Sequence, residues 1–329
     1  MNLENEKDLI SDNKIIEKKV VLTGLNNAGK TSILIALEKK YNFLDEIKNL
    51  TPTIKINYKT MDYFGKIKIR FWDMGGQEVY RNLYMKKPNL YFSDMDLLIY
   101  VIDIQDNSRF NESFNYFKDL LEFLEGKKLV VPVLVVFHKK DINLSKEKLN
   151  IIEESIDDWI ENLTEAFPDW YFAFAETTIF NAATIFRFIS FSLSCFLPNF
   201  YDIVEIFEKF REKTKLEAAM IFNKEGTLVL ETYSPNFRYE LNNELFRLVK
   251  EEISKNVDED LKQISLSDLF DVKKSSNSMN TLNVKINKIE NFYLIGIYLN
   301  EYLNNEYKKR ISKFLKEFKK ILKLVERTK

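Results

Sequence analysis

The sequence predicts an α/β domain, a six-stranded and mostly parallel sheet with helices on both faces, followed by a smaller α+β domain. Three observations predict it. Apolar runs of strand length alternate with helical patterns through residues 18–198, the order that builds a parallel sheet from right-handed βαβ crossovers. From residue 199 the order becomes helix, two strands, helix, three strands, helix, which reads as an antiparallel sheet packed with helices. Glycine is scarce, 8 in 329 residues, and Gly24, Gly29, Gly75 and Gly76 fall in two short stretches, where the backbone must approach something closely or take positive φ. The expected division is a polar N-terminal extension over 1–17, a first domain over 18–198 and a second over 199–329.

The elements follow in order. Lys18 to Thr23, KKVVLT, is a short apolar run suited to a buried strand. Ile33, Leu34 and Leu37 form the apolar face of the helix after it. Ile54 to Tyr63 and Lys66 to Trp72 alternate with period two, and the tight Phe64-Gly65 turn between them makes an antiparallel hairpin. Asp96 to Ile104 is apolar enough for a central strand, and Phe110, Phe114, Phe117, Leu120 and Leu124 have helical spacing. Leu129 to Phe137 is another apolar strand. Ile152, Ile156, Trp159 and Leu163 mark a helix face, Trp170 to Ala175 the sixth strand, and Phe180 to Phe196 the last helix before Pro198. In the second half Ala218 to Phe222 and Thr227 to Thr232 flank the hairpin signal Asn223 to Gly226. A helix over about 239–255, strands near 263–270, 280–287 and 291–299, and a helix over about 301–325 complete it.

Composition excludes several function classes. With 49 basic and 50 acidic residues the formal net charge is −1, so nothing favours nucleic acid as a partner. Cys195 alone rules out an internal disulfide and points to a reducing, cytoplasmic compartment. His138 alone rules out a histidine-cluster zinc site and argues against a Ser-His-Asp hydrolase. The polar start MNLENEKDLI is not a signal peptide, and no apolar run reaches the ~20 residues of a membrane span. Asn2 and the ending ERTK fit neither myristoylation nor prenylation, so no transmembrane segment or lipid anchor is expected.

Gly24-Leu-Asn-Asn-Ala-Gly29-Lys30-Thr31 fits G-x-x-x-x-G-K-[ST] between a strand and a helix, the context of a P-loop. Backbone N–H groups of Asn27, Ala28, Gly29 and the helix start through Ser32 make an anion cradle. Lys30 neutralises the β- and γ-phosphates, and the Thr31 hydroxyl is a hard oxygen ligand for Mg²⁺. In Trp72-Asp73-Met74-Gly75-Gly76-Gln77, Asp73 ends the alternating strand and can hold Mg²⁺ through water. Gly76 can offer its N–H to the γ-phosphate, and Gln77 can orient the attacking water. Thr51-Pro52-Thr53 lies between the two stretches; Thr53, chosen over Thr51, can complete the Mg²⁺ shell when the γ-phosphate is present.

His138-Lys139-Lys140-Asp141 follows an apolar strand. Asp141 can accept from guanine N1–H and the exocyclic amine, a donor pair adenine lacks, while the Lys139 stem covers the base plane. His138 has two open roles, a structural anchor of the loop or a direct ligand. Glu176-Thr177-Thr178-Ile179 ends the sixth strand; backbone N–H groups at Thr178 and Ile179 can meet guanine O6, and Thr178 can equally cap a helix.

GLNNAGKT, TPTI, WDMGGQ, HKKD and ETTI, in that order, resemble the small GTPases of the Ras superfamily. GLNNAGKT and TPTI resemble the Arf branch, whereas HKKD, DLLIYVIDIQD and ETTIFNAATIFRFISFSLSCFLP resemble the Rag/Gtr branch. The Rag/Gtr resemblance implies a GTPase domain followed by a roadblock/longin-type domain used for dimerisation, and the element order after residue 199 matches that domain. It also implies a homodimer or a heterodimer with another Rag-like GTPase, roadblock/longin scaffold proteins, a GTPase-activating protein, and recruitment to a membrane through partners.

The expected reaction is GTP and water to GDP and phosphate, with Lys30 and Gln77 as catalytic residues and Mg²⁺ on Thr31, Thr53 and Asp73. No arginine lies between Tyr41 and Lys59 to act as a finger in cis, so the expected intrinsic rate is on the order of 10⁻³ s⁻¹ or less. A non-hydrolysing, nucleotide-bound scaffold is the alternative, and a P-loop ATPase a third reading disfavoured by HKKD. The last helix carries an apolar stripe from Ile311 to Val325 beside many lysines; it reads as a docked helix with a solvated basic face or as a membrane-surface helix.

Overall fold

A computed structural model describes residues 16–39, 43–63, 67–141, 144–181, 184–185, 188, 194–195, 200–223, 228–235, 262–265, 282–289, 292–299, 310–314 and 316. The chain divides into two compact units, Lys14–Phe188 and one built from Ile189–Lys329.

The first unit runs β1 (Ile16–Thr23), α1 (Lys30–Lys39), α2 (Leu44–Lys48), β2 (Ile56–Tyr63), β3 (Ile67–Met74), α3 (Glu78–Lys86), α4 (Pro88–Phe92), β4 (Leu97–Asp103), a 3-10 turn (Asn107–Arg109), α5 (Phe110–Gly126), β5 (Val133–His138), α6 (Lys146–Ala166) and β6 (Phe172–Thr177). Its six strands lie in the order β2-β3-β1-β4-β5-β6. Only the β2–β3 pair is antiparallel; β1 pairs in parallel with β3 and β4, and β5 with β4 and β6. The sheet is therefore six-stranded and mostly parallel. β4 and β5 lie inside the sheet, each between two strands, and LLIYVID and VLVVFH are apolar at nearly every position, so both faces can be covered. Phe117, Leu120, Leu121 and Leu124 of α5 and Ile152, Ile156, Trp159 and Leu163 of α6 contribute to the core, with Trp159 stacked on Phe117.

Element boundaries differ from the sequence reading where polar groups set them. The apolar periodicity of α6 begins near Ile151, but the helix begins at Lys146 because the Ser145 hydroxyl caps it, accepting from the Lys148 N–H at 3.3 Å. α3 escapes periodicity because only Arg81 and Tyr84 are buried on it; the Tyr84 hydroxyl anchors it by donating to the Lys55 carbonyl at 2.6 Å. The turn expected at Phe64-Gly65 lies outside the described residues, although the strands on either side pair as expected.

The second unit contains α7 (Phe200–Thr214), β7 (Ala218–Asn223), β8 (Leu228–Tyr233), β9 (Lys262–Ser265), β10 (Leu282–Ile289) and β11 (Phe292–Leu299). Its five strands are antiparallel, in the order β8-β7-β11-β10-β9. Ile203, Phe207 and Phe210 bury one face of α7, and Phe210 stacks on Phe314 with ring centroids 4.5 Å apart. The N-terminal extension to residue 15, the helix expected over 239–255, the 224–227 turn, most of the helix expected over 180–196 and most of the C-terminal helix lie outside the described residues.

Candidate functional site

Parallel pairing brings the C-terminal ends of five strands to one edge of the sheet. Leu22 pairs with Asp73, Thr23 with Tyr100, Asp103 with His138, and His138 with Thr177. The sequential order of strands reverses on either side of β1, so the loop after β1 sits at a topological switch point, where open α/β sheets form their crevice. A cavity of about 440 Å³ opens there. It is lined by Asn27, Gly29, Lys30, Thr31, Ser32, Thr53, Gly76, Gln77, His138, Lys139, Asp141 and Ile179, together with Asn26, Ile47, Leu50, Thr51, Pro52, Met74 and Phe180.

The loop 24–29 is shaped by left-handed backbone at Asn27 (φ 64°) and Gly29 (φ 94°). At Gly29 the left-handed backbone coincides with a close approach, since a Cβ would fall 2.3 Å from His138 Cδ2. Lys30 opens α1 and is buried, its Nζ donating to the carbonyls of Gly24 (3.0 Å) and Leu25 (2.7 Å). Burial pulls its pKa down to about 8, against the opposing charge of Asp73 and helped by Arg81 and Arg109. The ammonium thus stands in a buried, carbonyl-lined seat, a place an anion would complete.

Beside it three oxygen-bearing side chains converge. The Thr31 hydroxyl donates to Asp73 Oδ2 at 2.6 Å and lies 2.9 Å from the Thr53 hydroxyl, which is itself 3.4 Å from Asp73 Oδ2. Asp73 is fully buried, and its Oδ1 has no hydrogen-bond partner among the described residues. Burial raises the Asp73 pKa, opposed by hydrogen bonds from Thr31 and Thr53 and by the charge of Lys30. A buried carboxylate oxygen without a partner is costly. Two hydroxyls and a carboxylate are the hard oxygen donors that Mg²⁺ prefers, so the residues present fit that ion.

Gly76 packs against the loop after β1: a Cβ there would sit 2.3 Å from Asn26 N and from Leu25 C, both backbone. Gln77, the residue before α3, lines the cavity next to it. Arg81 turns to Glu112 on α5 and forms an ion pair there, with its guanidinium 5.0 Å from the Tyr116 ring centre. Glu112 is shared with Arg109, which also donates to Asn26 Oδ1 at 2.9 Å.

At the HKKD loop, His138 is 1% exposed, with Nδ1 2.7 Å from the Thr177 hydroxyl. Burial, aided by the Lys139 charge, pulls its pKa down to about 4, so the ring is neutral. Lys139 has a left-handed backbone (φ 69°), and its Nζ pairs with Asp103 at 2.7 Å. Asp141 accepts from the Thr178 hydroxyl (2.5 Å) and from Gln105 Nε2 (2.8 Å).

Three of the expected residues do not line the cavity. Ala28 is buried behind the loop, and Asp73 reaches the cavity only through Thr31 and Thr53. Thr178 uses its N–H on the Thr184 hydroxyl at 3.1 Å and its own hydroxyl on Asp141. Sequence reasoning missed Gln105, Ile47 and Leu50. Ile47 sits on the five-residue α2, which buries nothing and so shows no periodicity.

The family model of the Gtr1/RagA G protein conserved region matches residues 19–264. Curated relatives match a shorter stretch. ADP-ribosylation factor-like protein 3 of Caenorhabditis elegans is 37% identical over 38% of this chain and 62% of its own length. ADP-ribosylation factor-related protein 1 of Bos taurus is 36% identical over 37% of this chain and 59% of its own. The match thus spans about three fifths of these relatives. The solved Arl6 BBS3 small GTPase from Trypanosoma brucei, with bound GppNp, is similar over 54% of this chain and 98% of its own, at 22% identity and a TM-score of 0.41, a likeness too low to carry weight.

Proposed function

The chain belongs to the Gtr1/RagA G protein family, and from that premise we propose that it is a GTP-binding regulatory switch that hydrolyses GTP slowly to GDP. The observation that supports this best is the convergence of the Thr31 and Thr53 hydroxyls on Asp73 Oδ2, with Thr31, Thr53 and the buried Lys30 lining the same cavity as Asp141.

The residues divide the work. Backbone N–H groups from Asn27 to Ser32 cradle the phosphates, with α1 contributing its N-terminal dipole. Lys30 Nζ leaves its two carbonyls for the β- and γ-phosphate oxygens. Thr31, Thr53 and Asp73 would hold Mg²⁺. Bound there, Mg²⁺ would supply positive charge to the phosphate oxygens. Gly76 presents its N–H to the γ-phosphate, and Gln77 orients the attacking water. Asp141 reads the guanine edge, Lys139 covers the base, and Ile179 offers its N–H to O6. His138 acts as an anchor, joining the loop of Gly29 to Thr177 on β6. Thr53 and Gly76 lie on segments that a γ-phosphate would hold together, which is the switch.

The antiparallel unit after Ile189 is read as the roadblock/longin-like domain, dimerising with another copy or with a second Rag-like GTPase. A cytoplasmic location with membrane recruitment through partners completes the reading. Among the described residues no helix is long and apolar enough to cross a membrane.

The test is the nucleotide content of purified protein, released by denaturation and identified by chromatography, followed by titration of GTP, GDP and ATP with Mg²⁺. Guanine nucleotide, with GTP turning slowly to GDP and with binding lost in Lys30→Ala, is the expected result. Adenine selectivity would overturn the proposal, and guanine nucleotide that is held but never hydrolysed would leave the scaffold function instead.

A further inference from the structure

We infer that Gln105, on the turn after β4, is a positioning residue for base selection: its amide holds the Asp141 carboxylate in the orientation that reads guanine. This rests on the role proposed for Asp141.

The geometry is specific. Gln105 Nε2 donates both hydrogens, one to the Lys139 carbonyl at 2.7 Å and one to Asp141 Oδ2 at 2.8 Å. The turn that carries Gln105 is itself tied down. The Gln105 N–H donates to Asp103 Oδ1 at 3.0 Å, Lys139 Nζ pairs with Asp103 Oδ2 at 2.7 Å, and the Ile104 N–H donates to the His138 carbonyl at 3.1 Å. On the other side the Thr178 hydroxyl donates to Asp141 Oδ1 at 2.5 Å. Among the described residues each carboxylate oxygen thus takes one protein donor, and a carboxylate oxygen has a second lone-pair direction for a ligand.

A carboxylate on a single C–C bond otherwise rotates, and a ligand that needs two coplanar acceptors must freeze that rotation on arrival. Two flanking donors freeze it beforehand, and as charge-assisted bonds they are strong ones. Gln105 also holds the carbonyl of Lys139, whose left-handed backbone (φ 69°) is uncommon for a lysine and needs its surroundings to maintain it. The side-chain type follows from the task. Two hydrogens on one nitrogen are required, which methionine lacks, and a glutamate would set a second carboxylate against Asp141. Gln105 does not line the cavity and is solvent-exposed, so it acts through Asp141 and not on the nucleotide.

The experiment compares GDP and IDP, whose base lacks the exocyclic amine, on the full chain and on Gln105→Met and Gln105→Glu, with melting temperature as a control for folding. In Gln105→Met, GDP affinity should fall about tenfold, the scale of one lost hydrogen bond to a charged group. IDP affinity should fall less, because IDP makes one bond fewer to Asp141, so the GDP-to-IDP ratio should shrink by about threefold or more. Gln105→Glu should lose more GDP affinity than Gln105→Met. Equal weakening of GDP and IDP at unchanged melting temperature would overturn the assignment, leaving Gln105 as a brace of the loop only, and so would unchanged affinities. A wild-type protein that does not prefer GDP to ADP would overturn the role of Asp141 and this assignment with it.

Discussion

His138 is the one histidine of the chain, so its titration can be followed without assignment of any other imidazole. It is 1% exposed, its Nδ1 meets the Thr177 hydroxyl at 2.7 Å, and its ring lies against Gly29. Burial lowers its pKa from 6.5 to about 4. The unfolded chain therefore binds a proton that the folded chain refuses between those two values. Stability from this group is fully present above pH ~6.5 and falls with pH by about 1.4 kcal/mol per unit down to pH ~4. Between pH 7 and pH 5 the loss amounts to about 2 kcal/mol. The assay is urea unfolding of wild type and His138→Gln across that range. Removing the ring shifts the stability by an amount independent of pH, so the slope difference isolates the imidazole from the carboxylates. The C2–H resonance of the folded protein should also stay unprotonated down to pH 5. A titration midpoint near 6.5, or parallel stability profiles, would refute the burial argument and with it the neutral anchor beneath the P-loop.

Other outcomes follow from the same geometry. Gly29→Ala places a Cβ 2.3 Å from His138 Cδ2 at φ 94°, so nucleotide affinity should fall at least tenfold; pairing it with His138→Ala should recover part of the loss, and no recovery would place the clash elsewhere. Gln77→Leu should keep GTP binding and slow hydrolysis about tenfold or more, and an unaltered single-turnover rate removes Gln77 from the mechanism. Glu112→Ala strips the partner from Arg81, which is 8% exposed, and should cost about 2 kcal/mol in chemical denaturation, between the values for exposed and buried pairs; a loss below about 0.5 kcal/mol would mean that solvent replaces the carboxylate.

Much of the first unit is legible in the sequence. KIKIRFW shows its strand in period-two alternation, whereas KKVVLT and the runs that form β4 and β5 show theirs as short apolar stretches between turn signals, because a strand buried on both faces must be apolar throughout. α3 is not legible. A helix that buries only Arg81 and Tyr84 has no apolar stripe, and its anchor is a hydroxyl reaching the Lys55 carbonyl, 29 residues away in sequence.

The site divides the same way. Lys30, Thr31, Asp73, Gln77 and Asp141, the residues proposed to meet phosphate, metal, water and base, can be picked out from the sequence because that chemistry requires those side chains at local spacings, after a strand and before a helix. That Thr31, Thr53 and Asp73 share one buried corner is decided by the parallel register of β1 and β3 and by the segment between α2 and β2 folding over it. Gln105 lies within the stretch DLLIYVIDIQD, but nothing local in the sequence points to its contacts. Its bonds to Lys139 and Asp141 span 34 and 36 residues and exist only because β4 and β5 lie side by side with their ends in register. Local chemistry is written in short motifs, whereas a contact between two loops is a property of the sheet that aligns them.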